Sequence, residues 1–188
     1  MPMTTTHALL PVAIAVAIAK RPVHWRLLIA AAVAAAAPDV DGLFKYVWHQ
    51  TPSSIYAHRG AAHSLFVALA AGLVAAVFHK QLKVTPLVAG VVISAAMASH
   101  GLLDMMTDSG QPVAYLWPVS SLRFFADWRP IHSGPVHLSH LLSNGLARLR
   151  SDVLQLIVPI FAIAIAVRVV RSHVPKLWRT FSPVRHVE

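Results

Sequence analysis

Four short stretches of this 188-residue chain hold side chains able to do chemistry: His7, PDVDG at 38–42, HRGAAHS at 58–64 and SHGLLD at 99–104. All are set in apolar sequence, where charge is expensive. A carboxylate near a bilayer interior costs roughly 2.5–3.5 kcal/mol on insertion scales. A bound divalent cation removes that cost by neutralising it. His100 and Asp104 are four positions apart, so on a helix they share a face, displaced about 6 Å along the axis. Asp39 and Asp41, two apart at a helix end, converge if the backbone turns there. His58 and His63 bracket the start of a helix. An imidazole–carboxylate set suits zinc, manganese or iron(II), and with no cysteine in the chain a thiolate site is excluded.

The expected metal ligands are therefore His7, Asp39, Asp41, His58, His63, His100 and Asp104. Seven candidates exceed the needs of one ion, so two or three ions are expected, zinc first. Such a site favours hydrolysis of a phosphate ester by metal-activated water. The expected catalytic groups are Arg59, for negative charge developing on the substrate, and Asp41 or Asp104 as general base. Each residue also has a local explanation. Asp39 can help end a helix with Pro38 and Gly42, His58 or His63 can cap one, and His100–Asp104 can be a neutral hydrogen-bonded pair. None of these explains why the clusters gather at one end of the chain's apolar segments. Asp152 is either a helix N-terminal charge or a further carboxylate, and one of His132, His137 and His140 can add a ligand.

The elements that must position these residues are apolar. The chain is 56% hydrophobic and 12% charged, with mean hydropathy +0.61. Soluble domains carry about 25% charged residues, so a membrane protein is expected. Five segments, 8–19, 27–38, 64–79, 84–106 and 153–170, predict an all-α bundle of about five membrane helices. Ala17-Ile18-Ala19 resembles a signal cleavage site, but the charges Lys20 and Arg21 follow it, the reverse of a signal sequence. The connection 107–151 is too rich in aromatics for a disordered tail and is expected to be an ordered loop over the outer end.

Sixteen Lys and Arg against seven Asp and Glu give a formal charge of +9. With five crossings, ten of the basic residues fall on one side, among them Lys20, Arg26, Lys80, Lys83 and Arg168. The positive-inside rule makes that side cytoplasmic. The histidine and aspartate clusters fall on the other. The basic residues form no single patch, so lipid headgroups are expected as partners and nucleic acid is not. The expected organisation is a membrane domain over 1–172 and a basic cytoplasmic tail over 173–188. No HExxH, P-loop, GxGxxG or GxSxG motif is present.

In order and spacing, PDVDG, HRGAAHS, SHGLLDMMTDSG and WRPIHSGP resemble the membrane-bound metal-dependent hydrolases of the YdjM type, over His7 to about Asp152. The resemblance implies an integral inner-membrane protein with hydrolase activity, and, more distantly, a likeness to zinc-dependent phospholipase C and P1-type nucleases. It points to the same seven ligands. Two positions depart from the pattern: Ala62 stands where threonine is frequent, and Asp152 where glutamate is common. The leading expectation is a hydrolase acting on a phospholipid or related phosphate ester. The alternative is a non-enzymatic membrane protein that binds or carries divalent metal ions.

Overall fold

The computed structural model describes residues 4–19, 22–42, 51, 54–131, 150 and 153–173. These form six α-helices: α1 (Thr4–Ile18), α2 (Trp25–Ala36), α3 (Leu65–Val77), the single turn α4 (His79–Leu82), α5 (Pro86–Met105) and α6 (Val158–His173). The 3₁₀ turns Ala37–Val40 and Ala61–His63 flank the site, and a π-helical turn, Val153–Ile157, leads into α6. Among the described residues there are no strands, only two isolated bridges, Thr107 to Ile131 and Val113 to Phe124. The fold is all-α, and the helices lie where the apolar segments predict them.

Local chemistry sets the helix ends. Ser64 caps α3, its Oγ accepting from Val67 N at 3.1 Å, and Thr85 caps α5 ahead of Pro86. His24 caps α2 through Nδ1, which accepts from Arg26 N. Pro38 occupies the first turn of the 3₁₀ helix that ends α2. Pro11 lies inside α1 and cannot donate to the carbonyl of His7, four residues back.

α5 is the central helix, packed against α3 on one side and α2 on the other. The α2 seam is Leu27, Ala31 and Ala35 against Ile93 and Ala96. The α3 seam depends on small residues. A Cβ on Gly72 would lie 1.9 Å from Ser94 Oγ and 2.5 Å from the Gly90 carbonyl, so the two backbones touch through the space glycine leaves. The outward faces are apolar too: Leu73, Val77, Leu87 and Ile163 are all more than half exposed. So much bare apolar surface fits lipid rather than water.

Among the described residues two stretches, Pro86–Met105 and Val153–Val170, are long and apolar enough to cross a bilayer alone. α1, α2 and α3 have 15, 12 and 13 residues, short of the roughly 20 that a perpendicular crossing needs. The expected five crossings thus correspond to two full-length spans and three shorter helices packed beside them. The loop from Thr107 to Ile131 folds back on the bundle. Ala114 N donates to Arg59 O, Leu65 N to Tyr115 O, and Ala126 N to Met105 O. The tail, 174–188, and the loop residues 132–149, with His132, His137 and His140, lie outside the described residues, as does Asp152.

The α3–α5 seam predicts opposite outcomes for neighbouring glycines. Gly72→Ala forces its Cβ into α5 and should destabilise the bundle by about 1–3 kcal/mol. Gly90→Ala meets its nearest neighbour at an ordinary 3.4 Å and should be tolerated. Unfolding in mixed detergent micelles measures both, and equal effects would contradict the packing described.

Candidate metal centre

Four elements deliver these side chains. α1 brings His7 in its first turn. The 3₁₀ turn after α2 brings Asp39, with Asp41 at its C-cap. His63 closes the 3₁₀ turn that Ser64 hands over to α3. His100 and Asp104 come from one face of α5. His7, Arg59, His100, Asp104 and Thr107 have 0% exposure and His63 has 1%.

Five of the seven predicted ligands turn donor atoms toward one another. His100 Nε2 is 3.1 Å from His63 Nε2 and 3.3 Å from Asp39 Oδ1. Asp104 Oδ2 is 3.5 Å from His63 Nε2 and 3.8 Å from His100 Nε2. His7 stacks on His100, ring centres 3.7 Å apart, and its Nε2 is 3.7 Å from Asp104 Oδ1. Donors sharing a zinc ion at 2.0–2.2 Å in tetrahedral array stand about 3.3 Å apart. The separations among Asp39, His63, His100 and Asp104, 3.1–3.8 Å, are close to that length.

Asp41 and His58 stand beside these five. His58 Nδ1 and Asp41 Oδ1 are 2.6 Å apart, a hydrogen-bond distance. Asp41 Oδ2 lies 3.0 Å from His63 Nδ1, off the line of the N–H. Burial raises the Asp41 carboxyl, but the His58 and His63 rings outweigh it and hold the group below the ordinary carboxylate range. Burial lowers His63, which favours the neutral ring.

Gly101 makes the meeting of His63 and His100 sterically possible. A Cβ there would lie 2.6 Å from the His63 carbonyl and 2.9 Å from the Tyr115 ring. A side chain at 101 would push the His63 turn off α5.

Arg59 differs from expectation. Instead of facing a substrate, its guanidinium is fully buried and engaged. Nε donates to Asp104 Oδ2 at 3.0 Å, Nη1 to the carbonyls of Ser109 and Gln111, and Nη2 to Thr107 Oγ1. Its backbone sits in the left-handed region, φ 64°, unusual for arginine. It fixes the Asp104 carboxylate and ties the 107–111 loop to the bundle.

Several contributors carried no sequence signal. The Ala35 carbonyl accepts from His100 Nδ1 at 2.7 Å. Thr4 Oγ1 donates to Asp39 Oδ2. Arg123 donates to the carbonyls of Ser54 and His58 from the far end of the loop. A backbone carbonyl leaves no mark in a residue pattern, and Thr4 and Arg123 sit outside every His/Asp cluster.

The donor set fits a divalent cation. Seven buried side-chain atoms among the described residues have no hydrogen-bond partner: two of them, His63 Nδ1 and Asp41 Oδ2, face each other at 3.0 Å, and four more belong to His7, Asp39 and Asp104. Buried polar atoms are nearly always satisfied, and a cation satisfies such a group at once. Three overlapping triads can grip an ion: His7, Asp39 and His100; Asp39, His58 and His63; and His63, His100 and Asp104.

The family model described as YdjM inner membrane protein matches residues 1–174. The chain is 33% identical over 140 residues to the inner membrane protein YbcI of Escherichia coli (strain K12), covering 74% of this chain and 80% of that protein. No solved structure matches.

Removing Arg59 tests whether it serves the site as a structural cation. Arg59→Met leaves Asp104 buried and uncompensated, and breaking such a pair costs about 3–5 kcal/mol. Arg59→Lys keeps the charge but cannot reach four acceptors, so it should recover only part of that loss. Unfolding midpoints of the metal-free protein measure both. Full stability in Arg59→Met would contradict this role.

Proposed function

The chain belongs to the YdjM inner membrane protein family, and on that premise we propose that it is a metal-dependent hydrolase that cleaves a phosphate ester of a membrane lipid or lipid-linked substrate. One observation carries the reading: buried histidine and aspartate donor atoms from four separate elements, several of them without a hydrogen-bond partner, converge at one end of an otherwise apolar bundle. His7, Asp39, His63, His100 and Asp104 would hold the ion, zinc by the character of the donor set. A metal there supplies Lewis acidity toward a phosphoryl oxygen and makes water a competent nucleophile near neutral pH.

The remaining residues position and exchange protons. Arg59 locks the Asp104 carboxylate by its Nε bond and keeps that charge tolerable in the core. Asp41 holds His58, whose side chain is 25% exposed, at the open edge of the cluster. An imidazole oriented by a carboxylate at an accessible edge is suited to take a proton from attacking water or give one to a leaving group.

The site's place supports a lipid substrate. It lies at one end of a bundle with an apolar exterior, where headgroups are the first phosphate esters met. The basic residues favour the opposite end, which supports a site on the non-cytoplasmic side and a cytoplasmic tail. The described core of α1, α2 and α3 below the site is Ala13, Ala17, Leu27, Ala31, Ala35 and Ala68, with no polar path for an ion. That favours hydrolysis over ion transport.

Purified protein assayed in detergent with phospholipids and bis(p-nitrophenyl) phosphate, with zinc, manganese or iron(II) supplied, tests the reading. Cleavage is expected, lost on chelation and restored by one of these ions. Asp104→Asn should lower it by more than the roughly 10–100-fold that loss of an outer partner costs. A folded, metal-loaded protein inactive on every ester would overturn it, and metal uptake into proteoliposomes would support the carrier alternative instead.

A further inference from the structure

We infer that the cluster holds one ion, not two or three, and that Asp41 acts on it only through His63, as the carboxylate of a carboxylate–histidine–metal chain. The inference rests on the metal reading above and adds its stoichiometry and the division of the seven residues into ligands and supports.

The free ring nitrogens limit how many ions the cluster can hold. A carbonyl oxygen only accepts, so His100 Nδ1, 2.7 Å from Ala35 O, carries the proton. His100 therefore offers a single lone pair, on Nε2. The triads His7–Asp39–His100 and His63–His100–Asp104 both need it, so they describe the same ion. His63 Nδ1 lies 3.0 Å from Asp41 Oδ2, off the line of its N–H; two lone pairs at that distance would repel, so the proton of that ring belongs on Nδ1 too. Two lone pairs, His63 Nε2 and His100 Nε2, then face each other 3.1 Å apart. Such a pair repels unless a cation lies between them.

The third triad yields no second ion. His63 enters it either by Nε2, already spent on the first ion, or by Nδ1, which Asp41 faces. His58 and Asp41 are 2.6 Å apart through Nδ1 and Oδ1. That is closer than two donors on one ion stand and is the distance of a charge-assisted hydrogen bond.

Charge points the same way. The carboxylates of Asp39, Asp41 and Asp104 are at most 10% exposed, and Arg59 is the buried cation paired among them. Three negative charges against one positive leave two, and one divalent ion cancels them. A second ion would leave two positive charges buried without partners, an arrangement the apolar surroundings penalise heavily.

Asp41 then has a defined effect. A carboxylate on the far nitrogen of a ligating imidazole fixes its orientation and raises its basicity, and its loss costs 10–100-fold in metal affinity. Asp41 also binds His58 through its other oxygen, so it links the ion to the exposed edge of the site.

The test loads metal-free full-length protein in detergent with cobalt(II), removes excess, and counts metal per chain by elemental analysis alongside the visible ligand-field spectrum. One ion per chain is expected for wild type. Asp41→Asn should still bind one ion, about 10–100-fold more weakly and with a shifted visible band, and Asp41→Glu should restore part of the affinity. His58→Gln should also bind one ion, whereas His63→Ala should lose high-affinity binding. Two ions in wild type, none in wild type, or none in Asp41→Asn with its helical circular dichroism intact would each overturn the inference. No substrate enters these measurements, so failure of the hydrolase reading alone leaves this count standing.

Discussion

A carboxylate with no exposure, Asp104, sits in the last turn of the central helix of an apolar bundle, and the rest of the site answers to it. Left alone, such a charge costs several kilocalories per mole after relaxation. One oxygen takes the Arg59 Nε–H, and the other, toward His7, has no hydrogen-bond partner. Arg59 in turn must satisfy its own donors, which is why the loop after α5 folds back to present Thr107, Ser109 and Gln111. The half-answered carboxylate draws the imidazoles around it. A soluble protein could leave such a group to water, but a bundle with an apolar exterior must answer it from within.

Small residues make this arrangement possible. Gly72 brings α3 against α5, and Gly101 brings the His63 turn against the same helix one residue past His100. The alanines of α2 let its C-terminal turn approach closely enough for the Ala35 carbonyl to fix the His100 ring. Backbone proximity in this bundle is therefore set by missing side chains, and the site's precision follows from it. The body supplies close-packed helices, and the polar end supplies the groups that need them.

Much of this was legible in the residues. The apolar segments located every long helix among the described residues, because runs of alanine, leucine and valine bounded by charge or proline leave few other structures. The His100–Asp104 spacing placed both on one face of α5, and that is where they lie. Asp39 at a proline-started turn, and His63 next to the capping Ser64, are likewise local signals that the fold keeps. Three things were not legible. Arg59 read as a substrate-binding cation, because sequence gives its charge but not that Asp104 and the 107–111 loop consume its donors. The seven candidates read as one ligand pool, because spacing cannot show that Asp41 and His58 are close enough to bond each other. The carbonyl of Ala35, which selects the His100 tautomer, belongs to a residue type with no chemical signature.

We propose that three imidazoles and two carboxylates from four elements meet on a common cation at the polar end of a membrane bundle. X-ray absorption at the zinc edge of the loaded protein tests it most directly. The account predicts a shell of nitrogen and oxygen at about 2.0–2.2 Å, with outer-shell scattering that requires three imidazoles and no metal–metal vector. A shell with one imidazole or none, or a second metal at about 3.5–4 Å, would contradict it.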